Sequence, residues 1–192
     1  MIQRRNNLFR RCILYQGKRM MIVTHQILTS RLGIHPMHPE EWPDVREMFL
    51  DFETSPEAIY DYPLPTTEEK AKEQVKVWSD SGYFYSVCLK GSSEVIGYLC
   101  FCGEQLREMG YSFKKKYQGQ GYAQEAAKEM IAQMKQMGVN RIIAELALEN
   151  LPSRKLIERL GFTQIGAKKH LFRKKQEWNR CAVFLKRNYN WI

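Results

Sequence analysis

Residues 111–126 read YSFKKKYQGQGYAQEA and join a β-rich run to a helical one. Residues 106–113 have the composition of a strand, and from Ala123 onward small and apolar residues recur at helical spacing. Between them, Gly119 and Gly121 let the backbone approach a ligand closely, and the first turn of the helix offers unpaired N–H groups at the positive end of its dipole. The segment therefore predicts an anion site that suits a phosphate or a pyrophosphate.

Four interpretations compete for this glycine loop. A Walker loop needs Gly-Lys-Ser/Thr at the start of the helix, and the chain lacks it. A dinucleotide fingerprint needs a third glycine where the chain has Gln124, although Glu145 lies near the place of its ribose-binding acid and keeps this reading as a minor alternative. The remaining two are an ordinary strand-to-helix turn, whose glycines serve packing, and a coenzyme A loop. The residues of the loop alone leave these two open.

The pattern along the rest of the chain predicts one α/β domain with a mixed sheet. Strands are predicted at residues 24–34, 83–90, 95–102, 106–113, 141–148, 162–168 and 180–186. Helices are predicted at residues 42–52, 66–79, 123–137 and 153–160, where apolar residues recur at helical spacing. Gly138 is placed to end the third helix in the left-handed conformation.

Length and charge bound the organisation of the chain. Its 192 residues are 44% hydrophobic, which is enough to bury the core of one domain. The formal net charge is +9, but residues 1–20 hold six Lys and Arg and no acid, so six of the nine charges lie there. We therefore divide the chain into a basic arm, residues 1–20, and a domain, residues 21–192. The arm is a phosphate-binding tail, an Arg-rich transit peptide or, as we favour, an extension upstream of a natural start at Met20 or Met21.

Several classes of partner are not expected. No run of residues is apolar enough for a transmembrane helix or a signal peptide, so we expect a cytoplasmic protein without a membrane partner. The five cysteines show no CxxC spacing and no neighbouring His, so we expect reduced, mostly buried thiols and no metal site. Aromatic and basic residues do not alternate in a recognisable nucleic-acid module, so RNA binding by the arm is a weak alternative.

Two motifs resemble the GNAT superfamily of N-acetyltransferases. Gln118-x-x-Gly121-x-Ala123 is similar to the family's coenzyme A signature, and Asn150-x-x-Ser153 is similar to its second motif. Further landmarks, which place the resemblance near the branch of ribosomal-protein alanine and serine acetyltransferases, are Leu160-Gly161-Phe162, Ser30-Arg31-Leu32, Val95-Ile96-Gly97 and Trp178. The resemblance covers residues 24–186. It implies a single-domain GNAT-like α/β fold with acetyl-CoA as acyl donor, in which a mixed, mostly antiparallel sheet of about seven strands is flanked by about four helices.

The resemblance also implies roles for the matched residues. Backbone groups of Tyr111, Ser112 and Phe113 would pair with the pantetheine arm of the coenzyme, and Asn150 would bond the same arm near the thioester. Amides of Gly119, Gln120, Gly121, Tyr122, Ala123 and Gln124 would hold the pyrophosphate, and Gln118 is the remaining coenzyme-binding residue. The lysines at 114–116 are interpreted as a solvated charge run rather than phosphate contacts. Arg154 and Lys155 remain open as phosphate partners.

Acetyl transfer to an amine needs a neutral nucleophile, and a lysine-like amine with a pKa of about 10.4 is almost wholly protonated at pH 7. A general base is therefore expected. Glu145 occupies the position of the base in one branch of the family, and Glu108 is the alternative used in others. The main-chain N–H near Phe113 is the expected oxyanion donor.

The expected general acid departs from the family pattern. The family's usual acid is a tyrosine seven residues after the Asn, and the chain has Ile157 there. Ser153 is then the nearest hydroxyl of the matching motif and the candidate catalytic donor, although it could also be the N-cap of the following helix.

The acceptor is expected to be a primary amine of a small molecule or of a protein N-terminus. The resemblance places the acceptor side at residues 51–65, whose acids and tyrosines suit a cationic amine. A basic cluster would instead attract an acidic acceptor or the ribosome; its members are Lys168, Lys169, Arg173, Lys174 and Lys175. The alternative function is a catalytically weak acyl-CoA-binding sensor of the same fold. A monomer or a homodimer is expected.

Overall fold

The computed structural model describes residues 23–60, 63–103, 107–171 and 178–187, so the basic arm lies outside the described residues. Four α-helices form in this part of the chain: α1 (Trp42–Glu53), α2 (Glu68–Ser81), α3 (Tyr122–Gln136) and α4 (Leu151–Arg159). The strands are β1 (Ile27–Leu28), β2 (Leu32–Pro36), β3 (Phe84–Leu89), β4 (Val95–Cys102), β5 (Arg107–Phe113), β6 (Arg141–Ala147), β7 (Thr163–Leu171) and β8 (Trp178–Arg187). None of the described helices is long and apolar enough to cross a membrane.

The strands form one mixed sheet in the order β1-β2-β3-β4-β5-β6-β8-β7. Only the pair of β5 and β6 is parallel, so the predicted mixed and mostly antiparallel sheet with four helices is confirmed. The predicted number of about seven strands was one too few. The sequence predicts one strand at residues 24–34, but the structure has a turn there, in which the Thr29 N–H donates to the Leu32 carbonyl at 2.9 Å. This turn folds the segment into the β1–β2 hairpin.

The two faces of the sheet carry separate cores, because successive side chains of a strand point to opposite faces. Helices α1 and α2 pack on one face, where Trp78 stacks on Phe84 with ring centroids 4.3 Å apart. Helices α3 and α4 pack on the other face, where the predicted apolar stripe of α3 is buried at Ala126, Ala127, Met130, Ile131 and Met134. We call these the α1/α2 face and the α3/α4 face.

The sheet opens between its two central strands. Strands β5 and β6 pair only at their first residues, Arg107 with Ile142 and Glu108 with Ile143. Beyond this point β5 remains paired with β4 as far as Phe113, and β6 remains paired with β8 as far as Ala147. The facing edges of β5 and β6 therefore diverge and leave a gap in the middle of the sheet.

The cysteines follow the prediction only in part. Cys88 and Cys100 are free and buried thiols, as expected. Cys102 is disulfide-bonded, which contradicts the expectation of a reduced thiol. Sequence spacing predicts local pairs such as CxxC, but it carries no information on cysteines that the fold brings together.

Candidate active site

A cavity of about 680 Å³ lies at the gap between β5 and β6 and reaches both faces of the sheet. Side chains of α1 line it on one face, and the loop before α3 and the start of α4 line it on the other. The predicted site residues that line it are Glu108, Tyr111, Ser112, Phe113, Gln118, Gly119, Gly121, Tyr122, Ala123, Gln124, Glu145, Asn150 and Ser153. Gln120 is the one member of the predicted set outside the lining, and its carbonyl accepts from Arg31 at 3.1 Å.

The inner edge of β5 presents backbone groups to the cavity. The Lys114 N–H donates to the Ile96 carbonyl of β4 at 2.9 Å. Because hydrogen-bonding directions alternate along an antiparallel strand, the N–H and C=O groups of Tyr111 and Phe113, which lie beyond the last β5–β6 pair, point away from β4 and into the gap. The Gln118 side chain donates to the Phe113 carbonyl at 2.9 Å, so the signature glutamine fixes the loop to the end of this edge.

The glycine loop has a left-handed backbone at both of its glycines. Gly119 has φ 75° and Gly121 has φ 83°, both in the left-handed region that side-chain-bearing residues rarely adopt. Gly121 is the N-cap of α3 and offers no side chain to the first turn. The N–H groups of Tyr122, Ala123 and Gln124 are thus directed at the cavity without a capping side chain, which is the arrangement that binds anions at helix N-termini.

Glu125 of α3 ties the glycine loop to the β1–β2 turn. Its Oε2 accepts from Arg31 Nε at 2.7 Å, and its Oε1 accepts from the hydroxyls of Thr29 at 2.6 Å and Ser30 at 3.0 Å. Arg31 Nη1 also donates to the Gln120 carbonyl in the loop. The Ser30-Arg31-Leu32 landmark therefore has a physical role, which is to hold the glycine loop in place from the far edge of the sheet.

The Glu125 clamp predicts acid sensitivity. Burial alone would raise the pKa of Glu125, but the hydrogen bonds from Thr29, Arg31 and Ser30 lower it from 4.5 to about 2. A depressed carboxyl pKa stabilises the fold fully above about pH 4.5, and this contribution is lost as the pH falls towards 2. We expect Glu125→Gln to be less stable at neutral pH and to lose less stability than the parent over this window. Urea unfolding at a series of pH values checks this, and parallel curves for the two proteins would contradict it.

The lysine run has a buried member, which corrects its interpretation as a solvated run. The Lys114 side chain is 1% exposed, and its Nζ lies 2.7 Å from Asp44 Oδ1, 2.6 Å from Glu47 Oε2 and 3.1 Å from Glu94 Oε1. Burial alone would lower the pKa of Lys114, but these carboxylates raise it above its ordinary value. The three carboxylates are spaced to suit a metal ion, and the ammonium lies among them instead. Lys116 is exposed and pairs with Glu94 at 2.8 Å.

Both candidate bases lie on the α1/α2 face. Glu108 lies opposite Cys102 in the sheet, and the Cys102 side chain belongs to the core of the α1/α2 face. The neighbours of Glu145 along β6, Ala144 and Leu146, belong to the core of the other face, so the Glu145 side chain points to the α1/α2 face. Glu108 is 6% exposed and sits where the last β5–β6 pair forms. Glu145 is half-buried and lies beyond that pair, beside the gap. The two carboxylates therefore line the cavity on one side of the sheet.

The second motif places Asn150, not Ser153, at the N-cap of α4. Asn150 Oδ1 accepts from the Ser153 N–H at 3.1 Å, so the N-cap interpretation of Ser153 was wrong. The helix begins at Leu151, two residues earlier than predicted. Asn150 is therefore the residue immediately before the helix, and its side chain caps the first turn. The Ser153 hydroxyl instead lies 2.6 Å from the Tyr111 hydroxyl inside the cavity.

The cationic side chains near the cavity differ from those predicted. Lys155 lines the cavity, whereas Arg154 is turned to Glu158 one helical turn away, at 2.9 Å. Arg159, which the sequence did not single out, lines the cavity with Lys115. A pattern of basic residues cannot show which of them an α-helix turns towards a ligand, because that depends on how α4 packs on the sheet.

The predicted acceptor side is only partly available to an acceptor. Asp51 accepts from the Lys115 N–H at 2.7 Å, and Glu53 accepts from the Leu64 N–H at 2.9 Å, so both carboxylates hold backbone. Glu57 is half-buried and lines the cavity. Phe52 and Leu64 of the predicted segment also line the cavity, and apolar residues outside that segment complete this side: Met48, Phe84, Tyr98 and Cys100. Asp61 and Tyr62, and the basic residues at 173–175, lie outside the described residues.

Comparison with known proteins agrees with this geometry. Residues 31–163 match the family model of the acetyltransferase (GNAT) domain. The uncharacterized N-acetyltransferase YnaD of Bacillus subtilis (strain 168) is 33% identical over 160 residues, which cover 79% of this chain and 91% of YnaD.

Two solved structures share the fold. The ribosomal-protein-S5-alanine acetyltransferase from Vibrio fischeri has a TM-score of 0.75 at 19% identity, covering 88% of this chain and 99% of the other. RimL, a ribosomal L7/L12 alpha-N-protein acetyltransferase solved in complex with coenzyme A, has a TM-score of 0.73 at 17% identity, covering 85% and 98%. At these identities the likeness concerns the fold alone. The family model and the YnaD match show more: the chain belongs to the GNAT family and is an acetyl-CoA-dependent N-acetyltransferase.

Proposed function

We propose that the chain transfers an acetyl group from acetyl-CoA to the primary amine of a small molecule or of a protein N-terminus. The observation that carries this proposal is the single cavity that joins the two faces of the sheet through the β5–β6 gap. The coenzyme pyrophosphate would bind the N–H groups at the start of α3, near Lys155 and Arg159. The pantetheine arm would pair with the open edge of β5, and the acetyl group would reach the face that carries Glu108 and Glu145.

In the proposed reaction the amine nitrogen bonds to the thioester carbonyl carbon, and the C–S bond breaks with its electron pair going to sulfur. The ammonium form of the acceptor loses two protons, of which one is returned to sulfur and the other passes to solvent. Glu145 is the proposed base because it is half-buried beside the gap and can pass a proton on to water. Glu108 is the alternative. The Phe113 N–H would stabilise the oxyanion, since it points into the gap.

The charge of the cavity favours a cationic acceptor. Glu57, Glu108 and Glu145 line it together with apolar side chains of α1, and an amine that arrives protonated is attracted to these carboxylates. An α-amine, with a pKa of about 8, needs less help to lose its proton than a lysine-like amine. The two solved structures above carry names of ribosomal-protein acetyltransferases, which supports testing protein N-termini first.

A second candidate function is an acyl-CoA sensor that binds the coenzyme and transfers slowly. It is favoured by Ile157, which is fully buried in the core at the position of the family's usual acid.

For either function we propose a cytoplasmic location and a monomer or homodimer. We also propose that residues 21–192 form the domain and that the basic arm is an extension of it.

An amine panel tests the proposed function. We expect the full chain to release free thiol from acetyl-CoA when given peptides with free N-termini or small cationic amines, at a rate above hydrolysis. Gly121→Val should abolish this release, because φ 83° is a backbone conformation that a β-branched residue adopts only with strain. Acetyl-CoA binding without transfer to any amine would favour the sensor. Absence of acetyl-CoA binding would contradict both functions.

A further inference from the structure

Two hydroxyl groups meet inside the cavity and belong to different elements. The Tyr111 hydroxyl on β5 lies 2.6 Å from Ser153 Oγ on α4, and it lies 3.5 Å from the Ser153 carbonyl. Both residues line the cavity on the α3/α4 side of the β5–β6 gap. The hydrogen bond therefore joins the strand that would pair with the pantetheine arm to the helix that follows the opposite strand.

Either hydroxyl can donate in this hydrogen bond, and the phenol is the more acidic of the two and therefore the better donor. Burial raises the pKa of Tyr111 to about 12, so the phenol keeps its proton at physiological pH. The distance of 2.6 Å to Ser153 Oγ is that of a strong O–H···O bond, whereas 3.5 Å to the Ser153 carbonyl is beyond the usual range. When Tyr111 donates to Ser153 Oγ, the proton of Ser153 is free to turn towards the cavity.

We propose that Tyr111 is a positioning residue, which holds the Ser153 hydroxyl as a hydrogen-bond donor to the departing sulfur of coenzyme A. This inference rests on the proposed function and assigns a side-chain role to a residue whose expected contribution was its backbone. It also accounts for Ile157. The Tyr111–Ser153 pair places a hydroxyl in the same cavity, and this hydroxyl takes the role of the tyrosine that α4 lacks.

The pair acts by stabilising charge. A thiol with a pKa near 8.5 is a stronger acid than either hydroxyl, so full proton transfer from Ser153 to the thiolate is unfavourable. A hydrogen bond to the developing thiolate is charge-assisted and strong. Cleavage of the C–S bond leaves the electron pair on sulfur, Ser153 and Tyr111 each keep their own proton, and water supplies the proton that completes the thiol.

The thiol pKa of bound coenzyme A tests the role of Tyr111, through the ultraviolet absorbance of the thiolate during a pH titration of the complex. We expect Tyr111→Phe and Ser153→Ala each to raise the pKa of the bound thiol by about one unit, because each weakens a charge-assisted hydrogen bond. The double variant should match Ser153→Ala alone, since the two hydroxyls act as one unit. Tyr85→Phe is the matched control, because its buried hydroxyl bonds the Val23 N–H outside the cavity.

The outcomes separate this inference from the proposed function. If coenzyme A binds the parent and Tyr111→Phe with the same thiol pKa, the role of Tyr111 is overturned and the transferase function is unaffected. Coenzyme A that fails to bind the parent protein overturns the proposed function itself. In turnover, we expect Tyr111→Phe to lower kcat about tenfold with little change in KM for acetyl-CoA. A loss confined to KM, with an unchanged thiol pKa, would assign Tyr111 to coenzyme binding instead. Should Tyr111→Phe fail to fold, Ser153→Ala and Ser153→Thr carry the same titration, with Thr expected to keep the parent value.

Discussion

Replacing Glu145 by Gln is expected to lower kcat about 10²-fold to 10³-fold, the usual loss when a general base is removed. The substitution keeps the shape and removes the negative charge, so the ammonium of the acceptor no longer has a carboxylate to receive its proton. KM for acetyl-CoA should change little, because the contacts proposed for the coenzyme lie at the edge of β5 and the start of α3, away from Glu145. The deficit should shrink as the pH rises towards the pKa of the acceptor amine, since the amine then loses its proton to solvent.

Single-turnover rates with the best acceptor of the amine panel, measured across pH, check the role of Glu145. Glu149→Gln is the matched control, because this carboxylate is exposed and lies outside the cavity lining. Glu108→Gln decides between the two candidates: a larger loss there than in Glu145→Gln would move the base to β5. Parent-like rates in both variants would end the assignment of either carboxylate as a base.

Replacing Lys114 by Met is expected to lower the free energy of unfolding by about 1–3 kcal/mol, the usual cost of removing one partner of a polar contact, because the carboxylates left behind remain partly exposed to water. Three carboxylates from α1 and the β3–β4 connection surround the ammonium, and without it they would repel one another at close range. The isosteric apolar side chain fills the space but cannot satisfy Asp44 or Glu47. The loss should fall as the pH is lowered, because protonation relieves the repulsion among the carboxylates.

Urea unfolding of Lys114→Met and Lys115→Met compares two adjacent lysines of opposite burial. Lys115 is exposed and its backbone N–H makes the contact with Asp51, so Lys115→Met should stay within about 0.5 kcal/mol of the parent. Equal stabilities for the two variants would show that the ammonium of Lys114 contributes nothing. Adding Asp44→Asn and Glu47→Gln to Lys114→Met should recover part of the loss, because it removes two of the unpaired charges.

Local signals predicted the strands, the helices and the glycine loop well, because spacing and glycine placement act over a few residues. Gly121 and the apolar stripe of α3 are examples, since each depends only on its own turn or helix. The burial of Lys114 among three carboxylates could not be predicted from the sequence. Three adjacent lysines give the same local signal, and only the fold brings carboxylates distant in sequence to one of them. The Tyr111–Ser153 contact was hidden for the same reason: 42 residues separate its partners, and only the divergence of β5 from β6 brings them together.

The gap between β5 and β6 would also link the lifetime of the protein to its donor substrate. Only two residue pairs join these strands in the described part of the sheet. A donor molecule that pairs with the open edge would complete the sheet and bind the folded state alone. At a concentration of about 100 Kd such a ligand adds about 2.7 kcal/mol to the resistance to unfolding. The enzyme would thus be most resistant to degradation when acetyl-CoA is plentiful, and its abundance would follow the supply of its own donor.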